Sequence, residues 1–197
     1  MQIGVREMTR DAVRARLAES VYDHFLEHGF DETTVEEAAK AAGISRATFF
    51  RYFPSKEDAV IVAMDASRFD YGTLLRTFDL TTTEPIWVHL RRAFEPAVLS
   101  AESDPARLRA KVRLITSIPS LRAHLGERRL RQETLLAAAL AELISDPLTA
   151  KVLVAAALAS FDLAWREWAE QPEASTFREL LDSIFARLAD PRVGPTS

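Results

Sequence analysis

The sequence predicts an all-α fold, and three observations carry that prediction. Only six of the 197 residues are glycine, in a chain rich in Ala, Leu, Arg and Glu, residues that lose little freedom in a helix. Apolar residues recur at three- and four-residue spacing through most of the chain, the period of a helix with one buried face. Prolines then punctuate the pattern at Glu84-Pro85, Asp104-Pro105, Asp146-Pro147 and Gln171-Pro172, where an acidic or polar residue can cap a helix and proline can occupy its first turn. Apolar residues make up 48% of the chain, enough for a core in one large domain or in a small domain plus a medium one.

Taken in order, residues 1–8 are expected to form a loose arm, with Arg6 in reach of a polyanion. Thr9 is positioned to cap a long helix whose apolar stripe is Val13, Leu17, Val21, Phe25 and Leu26. Gly29 ends it and Phe30 folds back. His24 and His28 lie one turn apart, a metal-ligand spacing, but no third ligand accompanies them and no metal is expected. His28 suits the negative C-terminal end of its helix.

Thr33 to Asp58, TTVEEAAKAAGISRATFFRYFPSKED, is the most informative stretch. Thr34 is placed to cap a short helix, with Glu37 closing a capping box. Val35, Ala38, Ala39 and Ala42 form its packing face, and Gly43 ends it in a left-handed conformation. Ser45 caps the next helix. At about 100° per residue, Phe49 and Phe53 fall on one side, Arg46, Ala47, Phe50 and Arg51 on the other, with Thr48 and Tyr52 on the flanks. A helix this short with an arginine-bearing, aromatic outer face fits one anchored by its inner aromatics and offered to a nucleic-acid groove. Pro54 ends it. Ser55 caps the next helix, and Lys56 beside that N-terminus suits a phosphate. The carboxylates Glu36 and Glu37 must point away from phosphates or serve the helix dipole.

The following helix carries Ala59, Val60, Val62, Ala63 and Met64. Asp70 to Leu80 reads as a weaker helix because it contains Gly72, and Leu80 to Pro85 as a loop. The next helix bears Ile86, Trp87, Leu90 and Phe94, with a kink expected at Pro96. Further helices open at Asp104-Pro105 and near Ser120, the latter running to Ile144 after a break at Ser117 to Pro119. The helix from Pro147 to Glu170 is apolar nearly all round, so most of its sides need cover. The last helix, ending near Asp190-Pro191, has a broad apolar face. Together they predict a four-helix interface between two chains, through Leu158, Phe161, Trp165, Trp168, Leu181 and Phe185. Asp162 and Arg166, one turn apart, are expected to pair.

Net charge is −4, so nucleic-acid contact must come from a local patch, which Arg6, Arg10, Arg14, Arg16, Arg46, Arg51 and Lys56 supply. The chain has no cysteine, which excludes disulfides, thiolate metal sites and a cysteine nucleophile. No glycine-rich phosphate loop, glycine-flanked serine or metal cluster is evident, so no enzyme and no cofactor are expected. The N-terminus is not a signal peptide. Val152 to Trp165, broken by Asp162, is shorter than the roughly 20 residues of a membrane span. A cytoplasmic protein without a membrane partner is expected.

The string G-I-S-R-A-T-F-F-R-Y-F-P-S-K-E-D, after a long helix and a Thr-Thr start, resembles the signature of the TetR family of bacterial transcriptional repressors. The match covers the first quarter to third of the chain. It implies an N-terminal three-helix helix-turn-helix DNA-binding domain, residues 1–56, and a C-terminal helical effector-binding and dimerisation domain, residues 57–191, with a tail at 192–197. By that resemblance Thr34, Lys56 and Tyr52 match phosphate-holding positions. Ser45, Arg46, Ala47 and Thr48 match the leading end of the recognition helix. Phe50 stands where the family usually has Tyr, which removes a phosphate bond but leaves a ring to press on a thymine methyl. Ala47 stands where glycine is common. The fourth helix is expected to act as a lever between effector and reading head.

A finer resemblance lies in Trp87 to Ala141. W-V-H-L-R-R-A-F, D-P-A-R-L-R-A-K-V-R-L-I and I-P-S-L-R-A-H-L with E-R-R-L-R-Q look like the C-terminal domain of TetR members described as binders of acyl-CoA-like ligands, the regulators of mycofactocin systems among them. An acyl chain wants an apolar tunnel, which Trp87, Leu90, Phe94, Leu114, Ile115, Ile118 and Leu121 could line. A nucleotide–diphosphate head wants guanidinium groups, available at Arg107, Arg109, Arg113, Arg122, Arg128, Arg129 and Arg131. The effector-contact candidates are Trp87, Leu90, Phe94, Arg113, Leu114, Ile118 and Arg122. The leading expectation is thus a dimeric, ligand-responsive repressor on double-stranded DNA with a pseudo-palindromic operator. The alternative is an acyl-CoA or lipid-binding helical protein without DNA-binding activity.

Overall fold

The computed structural model describes residues 5–64, 70–79, 83–171 and 175–190, with backbone alone at 5–8. The side chain of Arg6, much of the Leu80 to Pro85 loop, Pro172, Pro191 and the tail lie outside them. Every regular element among the described residues is a helix. The chain divides into two compact units, Met1–Asp65 and Ala66–Ser197. The boundary expected after residue 56 falls later because the helix after Ser55 packs into the first unit.

The first unit holds α1 (Val5–His28), α2 (Val35–Ala41), α3 (Arg46–Tyr52) and α4 (Lys56–Met64). Helix α1 begins at Val5, so residues 5–8 of the expected arm are helical, and residues 1–4 lie outside the described residues. Its buried stripe is Ala15, Ala18, Val21, Tyr22 and Phe25, while Val13 and Leu26 face solvent. Val21 and Phe25 of the expected stripe are buried and Leu17 is half-buried, while alanines and a tyrosine carry the rest of the buried face. Helix α1 packs on α4 and α2, and α2 packs on α3. Phe30, Ala38, Ala39, Phe49, Phe53, Ala59 and Val60 complete the core.

The second unit holds α5 (Tyr71–Leu75), α6 (Ile86–Ala93), α7 (Glu95–Ser103), α8 (Pro105–Ser117), α9 (Pro119–Ile144), α10 (Pro147–Glu170) and α11 (Phe177–Ala189). The expected weak helix is short, and Gly72 has a positive use there. A Cβ at Gly72 would sit 3.0 Å from the Leu135 carbonyl oxygen and 3.4 Å from the Ala139 side chain, so glycine lets α5 lie tightly on α9. At Pro96 the chain does not kink but divides. Helix α6 ends at Ala93 with Phe94 as its cap, and Pro96 sits in the first turn of α7, where its missing N–H leaves no bond unmade. Asp104 and Asp146 accept backbone N–H bonds as caps of α8 and α10, and Thr176 with Glu179 forms a capping box on α11.

Helix α10 is the axis of this unit, packed against α8, α9, α11 and α6. At 24 residues, with a mean hydropathy of 1.5 over its most apolar window, it is long and apolar enough to cross a bilayer; the shorter apolar run expected at Val152 to Trp165 understated it. Here one side of it is covered by protein, as in a core helix. Phe161 stacks on Phe94 with ring centroids 4.3 Å apart, and Trp165 on Phe177 at 3.9 Å. Tyr71, Phe185 and Trp168 meet this cluster edge-on. Offset and edge contacts of this kind add to the area that aromatic rings bury.

Candidate nucleic-acid interface and effector cleft

Local chemistry builds the first site. Thr34 and Glu37 form the expected capping box: the Glu37 N–H donates to the Thr34 hydroxyl oxygen at 3.3 Å, and the Thr34 N–H donates to the Glu37 carboxylate at 2.8 Å. The Thr34 hydroxyl also donates to that carboxylate at 2.7 Å. These bonds from Thr34 hold the Glu37 carboxyl below the usual range. Gly43 has φ of 70°. Beyond it the Ile44 N–H reaches the Ala39 carbonyl at 3.0 Å and the Gly43 N–H that of Lys40 at 3.0 Å, a Schellman closure. The turn to α3 is therefore fixed by backbone. Ser45 then accepts the Thr48 N–H at 3.1 Å.

Helix α3 has the predicted two faces. Phe49 and Phe53 are fully buried, with their rings 5.2 Å apart. Ser45, Arg46, Ala47, Phe50 and Arg51 are exposed, Phe50 at 43%, while Thr48 and Tyr52 are half-buried flanks. The Arg46 guanidinium lies 5.1 Å from the Phe50 ring centroid, and that of Arg51 lies 5.4 Å from the Tyr52 ring. Thr34 is exposed on the preceding helix's N-terminus.

Two cations expected to face outward are used within the unit. Arg14 donates from Nε to the Tyr52 carbonyl at 3.0 Å and pairs with Asp58 at 2.5 Å, beside the Phe53 ring. It ties α1, the end of α3 and α4 together. Lys56 is half-buried. Its ammonium donates to the Phe30 carbonyl at 2.7 Å and to that of Thr33 at 3.4 Å, over the Phe30 ring. It closes the turn between α1 and α2. Spacing missed both roles because the acceptors lie 23 to 44 residues away.

In the second unit the structure offers a cleft of about 360 Å³ between α6 and α11. Trp87, Val88, Phe185, Ala186 and Ala189 supply apolar walls, and Arg91, Arg92, Glu95 and Asp182 line it with charge. Arg91 bridges Glu95 at 3.0 Å and Asp182 at 2.5 Å. Arg92 pairs twice with Glu84, and Arg178 spans Glu95 and Glu102. Burial raises the Glu95 carboxyl, but the bonds from Arg178 and Arg91 outweigh it and leave it below the usual range. Arg178 is pushed up by the hydrogen bonds it donates to Glu102 and then Glu95.

Of the expected effector contacts, Trp87 alone lines this cleft. Leu90 and Phe94 point into the core. Arg113 donates to the Ala169 carbonyl near the end of α10, and Arg122 to the Thr116 carbonyl near the end of α8, as cations at helix C-termini do. Leu114 and Ile118 are half-buried beside that joint. Sequence reasoning missed Arg91, Asp182, Ala186 and Ala189. The signal was present in the strong one-sidedness of α6 and in the small residues of α11, but which helices face each other is not a local property.

The six residues expected to meet a second chain are buried within their own chain: Leu158, Phe161, Trp165, Trp168, Leu181 and Phe185 are each at most 5% exposed. The all-apolar α10 gives no sequence mark of its inner side, and on both α10 and α11 the large rings fill the core. The outward stripe of α10 is instead Leu148, Val152, Ala155, Ala159 and Leu163, with Leu148 at 73%, Val152 at 61% and Leu163 at 40%. Asp162 pairs with Arg129 of α9, and Arg166 is a weaker electrostatic neighbour. Burial raises its carboxyl above the usual range, against the pull of Arg129.

Comparison with known proteins agrees with this division. The family model described as "Bacterial regulatory proteins, tetR family" matches residues 20–61, and that described as "MftR C-terminal domain" matches residues 84–192. A curated relative from Mycobacterium tuberculosis, named as the mycofactocin biosynthesis transcriptional regulator MftR, is 29% identical over 119 residues, which cover 58% of this chain and 57% of the relative. EthR of Mycolicibacterium smegmatis, an HTH-type transcriptional regulator, is 36% identical over 95 residues, covering 47% of this chain and 43% of EthR. The chain thus spans about half the length of these curated relatives. Among solved structures, Thermus thermophilus FadR with lauroyl-CoA has a TM-score of 0.62 at 22% identity, over 93% of this chain and 97% of that one. Bacillus subtilis FadR with stearoyl-CoA has a TM-score of 0.56 at 18% identity, over 89% and 97%. At these identities the likeness is one of fold. With its helix-turn-helix unit and a C-terminal unit matched over more than half of its length, the chain belongs to the TetR family of bacterial transcriptional regulators, in the group with an MftR-type C-terminal domain.

Proposed function

We propose that the chain acts as a homodimeric, ligand-responsive DNA-binding repressor, released from a pseudo-palindromic operator by a small apolar or acyl-CoA-like effector. The observation that carries this reading is α3 itself. Two fully buried phenylalanines pin it, and Arg46, Ala47, Phe50 and Arg51 stand outward, an arrangement suited to the major groove. Thr34, Ser45, Thr48, Tyr52 and Lys56 complete the DNA-contact set. Lys56 also braces its own unit, so its loss weakens every sequence alike.

The second copy docks on the exposed α10 stripe. Leu148, Val152, Ala155, Ala159 and Leu163 follow one another along a single side of the helix, and the two alanines allow close approach. Helix α11 adds Leu180, Ile184 and Leu188, each half-buried in the single chain. The dimer sets two α3 helices about one DNA turn apart, ~34–36 Å.

The effector enters the α6–α11 cleft with its apolar part against Trp87 and Phe185. Arg91 and Arg92 are already balanced by Asp182 and Glu84, so an anionic head must compete for them. Displacing Asp182 undoes a tie between α6 and α11, which couples binding to a change in packing. Under this reading the chain turns over no substrate and works in the bacterial cytoplasm. A mobility shift with the intergenic DNA flanking its gene tests it. The expected result is sequence-selective binding that weakens steeply with salt and is reversed by long-chain acyl-CoA. Absence of any selective, salt-sensitive complex overturns it.

A further inference from the structure

Glu36 is an acid on the first turn of α2, on the side of the unit that offers Arg46. Its carboxylate lies 2.5 Å from Arg46 Nε, and the two side chains are 62% and 61% exposed. An ion pair so open to water contributes little to folding, between zero and about 1 kcal/mol. A carboxylate is also a poor neighbour for phosphates. As a first-turn acid Glu36 serves the α2 dipole, a role it shares with Glu37, but neither that nor general DNA affinity accounts for its contact with Arg46.

The geometry supplies a reason. Arg46 has a wide choice of rotamers, but here it is held from two directions. The Phe50 ring, one turn on, lies 5.1 Å from the guanidinium carbon, and Glu36 engages Nε. Nε is the nitrogen nearest the backbone end of the guanidinium. With it engaged, the two terminal nitrogens make no hydrogen bond among the described residues. Their outer edge is the one that fits a guanine O6 and N7 as a bidentate pair. A guanidinium fixed before binding loses less freedom when it docks.

We propose that Glu36 is a positioning residue for base readout: with Phe50 it presets Arg46 to take one guanine in the major groove, while the exposed edge of Phe50 meets an adjacent thymine methyl. The inference rests on the reading of the chain as a DNA-binding regulator and names what that site selects. Glu36 touches no base. Its effect is on discrimination at one position, whereas an acid that merely masks a cation would lower affinity for every sequence.

The test uses the full chain. The preferred duplex is first selected from a randomised pool, and each guanine in it is then replaced in turn. Affinities of wild type, Glu36→Gln, Glu36→Ala, Arg46→Ala and Arg46→Ala/Glu36→Gln are measured across a salt series, with thermal melts alongside. The expected result is that both Glu36 variants melt as the wild type does and lose about tenfold in discrimination at one guanine position. Other positions keep their preference. At that guanine the double variant is no worse than Arg46→Ala, because the two residues act as one unit. A wild type that selects DNA, with Glu36 variants that keep full discrimination or tighten on all sequences alike, overturns the role of Glu36 and leaves the regulator standing. A wild type that selects no sequence removes both.

Discussion

The two compact units are held together by different means. The first sets two seven-residue helices, too short to persist alone, against the 24-residue α1. It closes each end locally, with Thr34 and Glu37, Gly43, and Ser45, and then ties distant segments together by cations on carbonyls, Arg14 on Tyr52 and Lys56 on Phe30. The second has helices of 24 and 26 residues wrapped on a continuous aromatic cluster, with its charges spread over the outside as ion pairs. A small unit has little apolar area to bury, so polar groups on backbone acceptors carry a larger share of its order. The larger unit also sets Arg109 and Arg113 on carbonyls at the end of α10, and adds side-chain ion pairs around a cleft.

Phe161→Ala gives the largest expected effect. Its ring touches Phe94, Tyr71, Trp165 and Phe177, and its loss removes about 3–5 kcal/mol from the second unit. Tryptophan fluorescence in a urea titration reads this directly, because Trp87, Trp165 and Trp168 all lie there. An unchanged midpoint contradicts the account of that core. Next is Arg14→Ala, expected to cost the first unit about 1–3 kcal/mol, seen as faster hydrogen exchange in α3 and α4 with the tryptophan transition unmoved. Gly43→Ala follows at about 1 kcal/mol. A Cβ there meets nothing within 4 Å, so the cost is purely that of φ at 70°, and it shows as a small fall in the melting of the first unit.

The smallest effect is with acid. Glu37 in the first unit, and Asp70, Glu95, Glu102, Glu142, Asp146 and Glu179 in the second, have carboxyls held below the ordinary range. For Asp70 and Glu95 burial pulls the other way, and hydrogen bonds from Thr73 and Arg178 prevail. A lowered carboxyl adds stability that is complete above its ordinary value and vanishes as pH falls through the lowered one. Among the described residues acid therefore weakens the second unit through more groups, with Asp162, raised by burial, working against the trend. Asp146→Asn, which removes one, should flatten the acid limb of the fluorescence-monitored stability curve. An acid limb as steep as the wild type's places the loss elsewhere.

The sequence by itself determined what is local. The capping boxes, the Gly43 turn, the Asp-Pro starts and the two-faced α3 follow from residues within four positions of one another, where hydrogen-bond geometry allows few alternatives. Tertiary structure decided what depends on which surfaces meet. It turned Phe161, Trp165 and Phe185 inward and left Val152 and Leu163 outside, because an evenly apolar helix carries no mark of its buried side. It took Arg14 and Lys56 for carbonyls tens of residues away, and it set α11 against α6 to make a cleft. Those outcomes rest on packing large rings at close density and on satisfying backbone acceptors wherever the folded chain leaves them, and neither condition is written in the spacing of the residues concerned.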